Sequence, residues 1–182
     1  MKRVVLVSGA PGSGKTTLAV PLAAELGLPL LSKDVIKEQL FDILGVGNGD
    51  ALAWSRSLGA ASMELIWTLA GYFPEAVLEA NFRPHSSYER SRILELSDRV
   101  VEVNCHCPPE LAASRYSARA RSGSHHPTHV LPDLPANFEW EYDTPIGIAT
   151  VIKVDTTKPV DVRSLAREIV ALLDRITSPE AP

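Results

Sequence analysis

The run Gly9-Ala10-Pro11-Gly12-Ser13-Gly14-Lys15-Thr16 fits the spacing G-x-x-x-x-G-K-[ST] at every fixed position. It follows an apolar stretch, residues 4–7, that reads as a buried strand. It precedes Thr17-Leu18-Ala19-Val20, which reads as the first turns of a helix. Strand, loop and helix in that order separate a phosphate-binding loop from an ordinary glycine-rich turn. Glycines let the backbone curl so that successive N–H groups point at one anion. A helix starting at Lys15 adds partial positive charge from its N-terminus. The chemistry is binding of a nucleoside triphosphate, ATP by expectation, by the backbone of Gly9, Ala10, Gly12, Ser13, Gly14, Lys15, Thr16 and Thr17. The Lys15 ammonium would reach the β- and γ-phosphates, and the Thr16 hydroxyl would enter a Mg²⁺ shell.

A second group of residues could use such a nucleotide. Asp34 follows a short strand at residues 29–31, which in a parallel sheet ends beside the loop. A carboxylate there can take the proton of a hydroxyl attacking the γ-phosphate. Its alternative role is only to N-cap the helix that begins at 34. Lys33 can face an anionic substrate, the phosphates or solvent. Arg115, Arg119 and Arg121 come from the helix after the fourth strand and its exit, and Arg115 and Arg119 are four apart and share a helical face. Arginine forks suit the equatorial oxygens on which charge spreads during phosphoryl transfer, and Arg119 is the stronger candidate. Glu79 ends a third strand where a metal-assisting acid is often found, although no clean apolar run ending in Asp is present. Asn81 and Arg83, just beyond it, can face the substrate; Arg83 can equally be in a surface ion pair.

Other reactive types are read more plainly. His125, His126 and His129 fall within five residues, but no carboxylate or cysteine stands at ligand spacing, so a metal site is not expected. Cys105 and Cys107 would point to opposite faces of a strand, which makes them poor disulfide partners.

The elements that must hold these residues alternate between strand and helix, the pattern of an α/β fold with a parallel sheet. Strands are expected at 3–7, 29–31, 76–80, 100–104 and 150–154. Helices are expected from the loop to 26, at 34–44, 51–72, 86–97, 109–120 and 161–176. Pro21 should kink the first helix. Trp54, Leu58, Leu65 and Leu69 should lie on one face of the long third helix, with Trp54, Met63 and Trp67 in the core or beside the pocket. Residues 121–145 have no clear period and are long enough to be a lid. Asp155-Thr156-Thr157 is expected near the nucleotide base, and residues 178–182 are expected to fray.

The chain of 182 residues is long enough for one domain, 1–182, with a sizeable core. Its net charge of −4 gives no global attraction to nucleic acid or anionic membranes. No apolar run approaches the length of a bilayer span. The loop lies too near the N-terminus to survive removal of a signal peptide, so a cytoplasmic location is expected. No N-K-x-D follows a strand, which argues against a GTPase.

The loop Gly9–Thr17, then a short strand and Asp34, then arginines from Arg115, resembles the small P-loop kinases. These include the chloramphenicol phosphotransferase, zeta-toxin, gluconate kinase and polynucleotide 5′-kinase group. The resemblance implies a P-loop NTPase three-layer sandwich. Its five-stranded parallel sheet has the order 2-3-1-4-5, helices on both faces, and a lid over about residues 115–145. It implies an ATP- and Mg²⁺-dependent kinase acting on a small-molecule hydroxyl. Asp34 would be the base, with Lys15, Arg115 and Arg119 on the transferred phosphoryl, and Lys33, Asn81 and Arg83 near the acceptor. A polynucleotide or nucleotide-sugar acceptor, or a non-catalytic nucleotide-dependent switch, are the alternatives.

Overall fold

The computed structural model describes residues 2–122, 125–135, 142 and 144–176. The elements are β1 (Arg3–Ser8), α1 (Lys15–Leu26), β2 (Leu30–Ser32), α2 (Lys33–Leu44) and α3 (Ala51–Ala70). They continue with β3 (Glu75–Glu79), α4 (Ser87–Leu96), β4 (Arg99–His106), α5 (Pro109–Arg121), β5 (Thr150–Asp155) and α6 (Val162–Arg175). The strands form one parallel sheet in the order β2-β3-β1-β4-β5. This is the order the resemblance implied. β1 is central, so the loop leaving it emerges between β3 and β4. In open α/β sheets, ligands bind outside the carboxyl ends of the strands at such a reversal of strand order.

Alternation along the strands divides the core into two layers. Val5, Val7, Val77, Val101 and Val103 face α1 and α6, against Leu18, Leu22, Leu165 and Ile169. Val4, Leu6, Leu78 and Val100 face the other side, against Ile66 and Trp67 of α3 and Ile93 of α4. Both faces are covered, which is why the strands read as nearly continuous apolar runs rather than alternating ones. Burying each such side chain contributes about 1.5–3 kcal/mol, so the carboxyl ends of β1, β2 and β3 are held on a rigid platform.

A carboxylate on β4 lies inside the sheet. Glu102 of β4 is fully buried and accepts from Ser8 Oγ at 2.6 Å and from the backbone N–H groups of Ile146 and Gly147 at 3.1 and 3.3 Å. It therefore anchors the chain as it returns toward β5.

One expectation is corrected. The buried face of α3 is Ser55, Leu58, Ser62, Ile66, Trp67 and Ala70, while Leu65 and Leu69 are 38% and 39% exposed. The serines on that face hid it from a count of apolar residues. Ser62 satisfies its hydroxyl on the Leu58 carbonyl at 2.7 Å. Trp54 lies against Gly47 and donates its indole N–H to Gly45 O at 2.9 Å, fixing the loop before α3. α1 continues through Pro21 without interruption. Pro21 and Thr17, whose carbonyl loses its partner, are both exposed, so water can satisfy the orphaned group.

Among the described residues no helix is long and apolar enough to cross a membrane. Residues 178–182 and parts of the expected lid lie outside the described residues.

Candidate active site

The loop after β1 is shaped by glycines with left-handed backbone. Gly12 has φ +83°, and a Cβ there would overlap the carbonyl of Ala112 in α5. Gly9 has φ +132° and is pressed against the carbonyl of Cys105 in the same way. Gly14 precedes α1 with φ 87° and no side chain caps that helix. The N–H groups of its first turn therefore have neither an intrahelical nor a side-chain cap partner. Ser13 Oγ is buried without a hydrogen-bond partner among the described residues, which suits an anion held in the loop. Lys15 Nζ curls back to donate to Ala10 O at 2.9 Å. Thr156, just after β5, braces the loop by donating Oγ1 to Ser13 O at 2.6 Å. Arg115 reaches the same point, with Nη2 donating to Thr156 O at 3.1 Å.

Beside the loop stands Glu79 at the end of β3. It is almost fully buried and accepts from Thr16 Oγ1 at 3.2 Å and from Ser32 Oγ at 2.5 Å. Burial pushes its carboxyl up from the ordinary range, against the pull of Lys15 and the hydrogen bond from Ser32. A hydroxyl and a carboxylate side by side at the start of α1 are oxygen donors of the kind Mg²⁺ takes, directly or through water. The residues present therefore fit that ion.

The loop opens into a cavity of about 1500 Å³ whose far end is made by side chains. Asp34, in the first turn of α2, lines it together with Lys33, Lys37 and Glu38. Burial pushes the Asp34 carboxyl up, but Lys33, His129, Lys15 and Lys37 together outweigh it and hold it below the ordinary carboxylate value. Asp34 is therefore ionised at neutral pH. Lys33 donates Nζ to Asn81 Oδ1 at 2.7 Å, tying α2 to the tip of β3. Burial lowers the Lys33 ammonium, although Asp34 opposes that shift. The Arg83 side chain lines the cavity, and its backbone N–H donates to Glu89 Oε2 at 2.8 Å.

Residues 125–135 cover this end. His126 meets Asp42 and His129 meets Glu38, both at 3.1 Å and both on α2. His125 stacks on His129 with ring centres 4.9 Å apart. Lys37 Nζ donates to Ser55 Oγ at 2.8 Å and to Thr128 O at 3.3 Å. Arg119 is exposed on the cavity wall between the loop and this cover.

A family described as AAA domain matches residues 4–140, most of the chain. The chain belongs to the AAA domain family. Its fold is shared with a candidate kinase from Chloroflexus aurantiacus, at a TM-score of 0.80 and 27% identity over 93% of this chain and 97% of that one. A shikimate kinase from Acinetobacter baumannii in complex with shikimate superposes at 0.59, with 18% identity over 97% of each chain. A gluconokinase from Sinorhizobium meliloti gives 0.57, with 19% identity over 96% and 93% of the two chains. At those identities the last two speak for the fold alone. In sequence, a cytidylate kinase of Ignicoccus hospitalis is 49% identical over 43 residues, 24% of this chain and 25% of that protein. The chain thus matches about a quarter of the length of that curated relative.

Within this family member, the structure brings together most of the residues singled out in the sequence. The loop, Lys15, Thr16, Lys33, Asp34, Asn81, Arg83, Arg115 and Arg119 all line or border the one cavity, and so do Met63, Trp67 and Thr156. Arg121 and Trp54 do not line it. Asp34 is not a helix cap: Ser32 holds that position, and its hydroxyl is spent on Glu79 rather than on the helix. The Asp34 carboxylate is thereby released from capping. The histidines lack carboxylates nearby in sequence, yet α2 supplies Glu38 and Asp42 across the fold. Among the described residues no group of three or more His, Cys, Asp or Glu is placed to hold a metal. Sequence reasoning missed Lys37, Ser55 and Thr128. For Lys37 a signal existed, since it lies three residues after Asp34 on the same face of α2.

Proposed function

We propose that this protein is an ATP-dependent kinase that transfers the γ-phosphoryl group to a hydroxyl of a small molecule, with Asp34 as general base. The observation that carries this reading is an ionised carboxylate, released from helix capping, in the same cavity as the phosphate-binding loop and Lys15. A hydroxyl needs a base as it attacks; a phosphate oxygen does not.

The roles follow from position. The loop backbone and Lys15 hold the β- and γ-phosphates, and Arg119 and Arg115 approach from α5, where guanidinium forks can meet the phosphate oxygens. Thr16 and, through water, Glu79 would hold Mg²⁺, which supplies charge neutralisation between the β- and γ-phosphates. Lys33, Asn81 and Arg83 line the acceptor end, and Lys33 favours an acceptor that also carries a negative group.

The test is ADP release from Mg²⁺–ATP against two panels: polyhydroxylated metabolites and hydroxy acids, and nucleoside monophosphates. A hydroxyl compound should stimulate release. Asp34→Asn should lower that transfer by roughly 10²–10⁴-fold while an ATP analogue binds as before. Undiminished transfer in Asp34→Asn, or stimulation by nucleoside monophosphates alone, would overturn the reading.

A further inference from the structure

Lys37 is a buried cation to which phosphoryl transfer as described gives no role beyond its charge near Asp34. Its ammonium is drawn from α2 to a point where three separate segments meet. Nζ donates to Ser55 Oγ of α3 at 2.8 Å and to the Thr128 carbonyl at 3.3 Å, and Ser55 Oγ donates to that same carbonyl at 2.7 Å. Thr128 is fully buried in spite of its distance in sequence from both helices. Burying an ammonium costs several kcal/mol unless partners compensate. One of its protons goes to the carbonyl of a stretch of chain that lines the same cavity as Asp34, and another goes to the serine that bonds that same carbonyl.

We propose that Lys37 is a positioning residue that latches residues 125–135 over Asp34 and so keeps water from competing for the transferred phosphoryl. Closure of a kinase site excludes water and completes the site around the acceptor. The latch is reinforced by His126 on Asp42 and His129 on Glu38, but those partners are more exposed and lie at the rim. Lys37 and Ser55 form its buried centre. The latch itself is independent of the kinase reading; its consequence for water rests on that reading.

The test uses the full chain with Lys37→Met, Lys37→Arg and Ser55→Ala. Hydrogen exchange at the amides of His126 and residues 128–131 reports the latch. Acceptor-free hydrolysis of Mg²⁺–ATP reports water entry. Lys37→Met should speed exchange in that segment several-fold, leave the amides of β1 and β4 unchanged, and raise hydrolysis several-fold. Lys37→Arg should restore both, and Ser55→Ala should give a smaller change in the same directions. Replacing a buried ammonium by an apolar isostere is often neutral or stabilising, so the melting temperature of Lys37→Met should hold or rise. If that variant fails to fold, Ser55→Ala and Lys37→Arg decide by the same readouts. Unchanged exchange in that segment overturns the latch. Faster exchange without faster hydrolysis keeps the latch and overturns its role against water. If Asp34→Asn proved harmless, the kinase reading would fall while the exchange result stood.

Discussion

At one end of the cavity the groups that face a ligand are main-chain N–H groups from the turn after β1 and the first turn of α1. At the other they are side chains, Asp34 and Lys33 from α2 and Asn81 beyond β3, under residues 125–135, which Lys37 of α2 and Ser55 of α3 hold in place. The first end needs only glycines at strained positions and one contiguous stretch of chain. The second is assembled from four places in the sequence and depends on charge as much as on shape. An end built from backbone can recognise only what every nucleoside triphosphate shares. An end built from side chains can discriminate by charge and shape, and on the proposed reading the choice of acceptor would be made there.

This division predicts where damage will be total and where it will be selective. The largest effect expected at the backbone-built end comes from its one indispensable side chain. Lys15→Met should lower transfer by roughly 10²–10³-fold, the scale for losing a preorganised charge aimed at developing negative charge. Every acceptor should suffer alike, because the loss lies on the donor side. Steady-state ADP release with two different acceptors measures it. A loss confined to one acceptor would mean that Lys15 belongs to the other end and that the division is wrongly drawn.

The same contrast explains what could be read from the sequence. The loop, its strand and its helix are neighbours along the chain, so spacing alone revealed them. The parallel sheet followed from alternating elements, and Asp34 from its place after β2. Ser32, Glu79 and Thr16 meet only because β2, β3 and the loop end side by side, and a strand lacking the usual acid pattern hid the meeting. Lys37, Ser55 and Thr128 come from three segments, and no local period encodes their contact. The buried face of α3 was misread for a related reason. Serines can be buried when their hydroxyls bond to the preceding turn, so polarity is a poor guide there.

A smaller and more selective effect is expected in the pH profile. The Asp34 carboxyl is held below its ordinary value because four cations outweigh its burial, with Lys33 the strongest of them. Asp34, as the proposed base, is then deprotonated throughout the neutral range, and the acid limb of transfer should fall below the usual carboxylate pKa of about 3.9. Lys33→Met removes the largest lowering charge and leaves burial to act, so the limb should move to higher pH. Affinity for an ATP analogue should hold, since the lysine bonds to Asn81 rather than to the loop. A limb that stays in place in Lys33→Met would show that another group sets it.

The finest test concerns the one side chain that braces the backbone-built end. Thr156 donates Oγ1 to Ser13 O at 2.6 Å, and its main-chain N–H separately bonds to His106 O at 2.9 Å. Thr156→Val keeps the shape and the main-chain bond and removes only the hydroxyl. One net hydrogen bond contributes about 1 kcal/mol, which corresponds to roughly fivefold weaker binding if the loop needs that brace to present its N–H groups. Calorimetry with a non-hydrolysable ATP analogue reads the change, and the rate at saturating ATP should not move. Unaltered affinity would mean that the glycines alone shape the loop. The backbone-built end would then owe nothing to side chains beyond Lys15 and Thr16, and the contrast with the acceptor end would be sharper still.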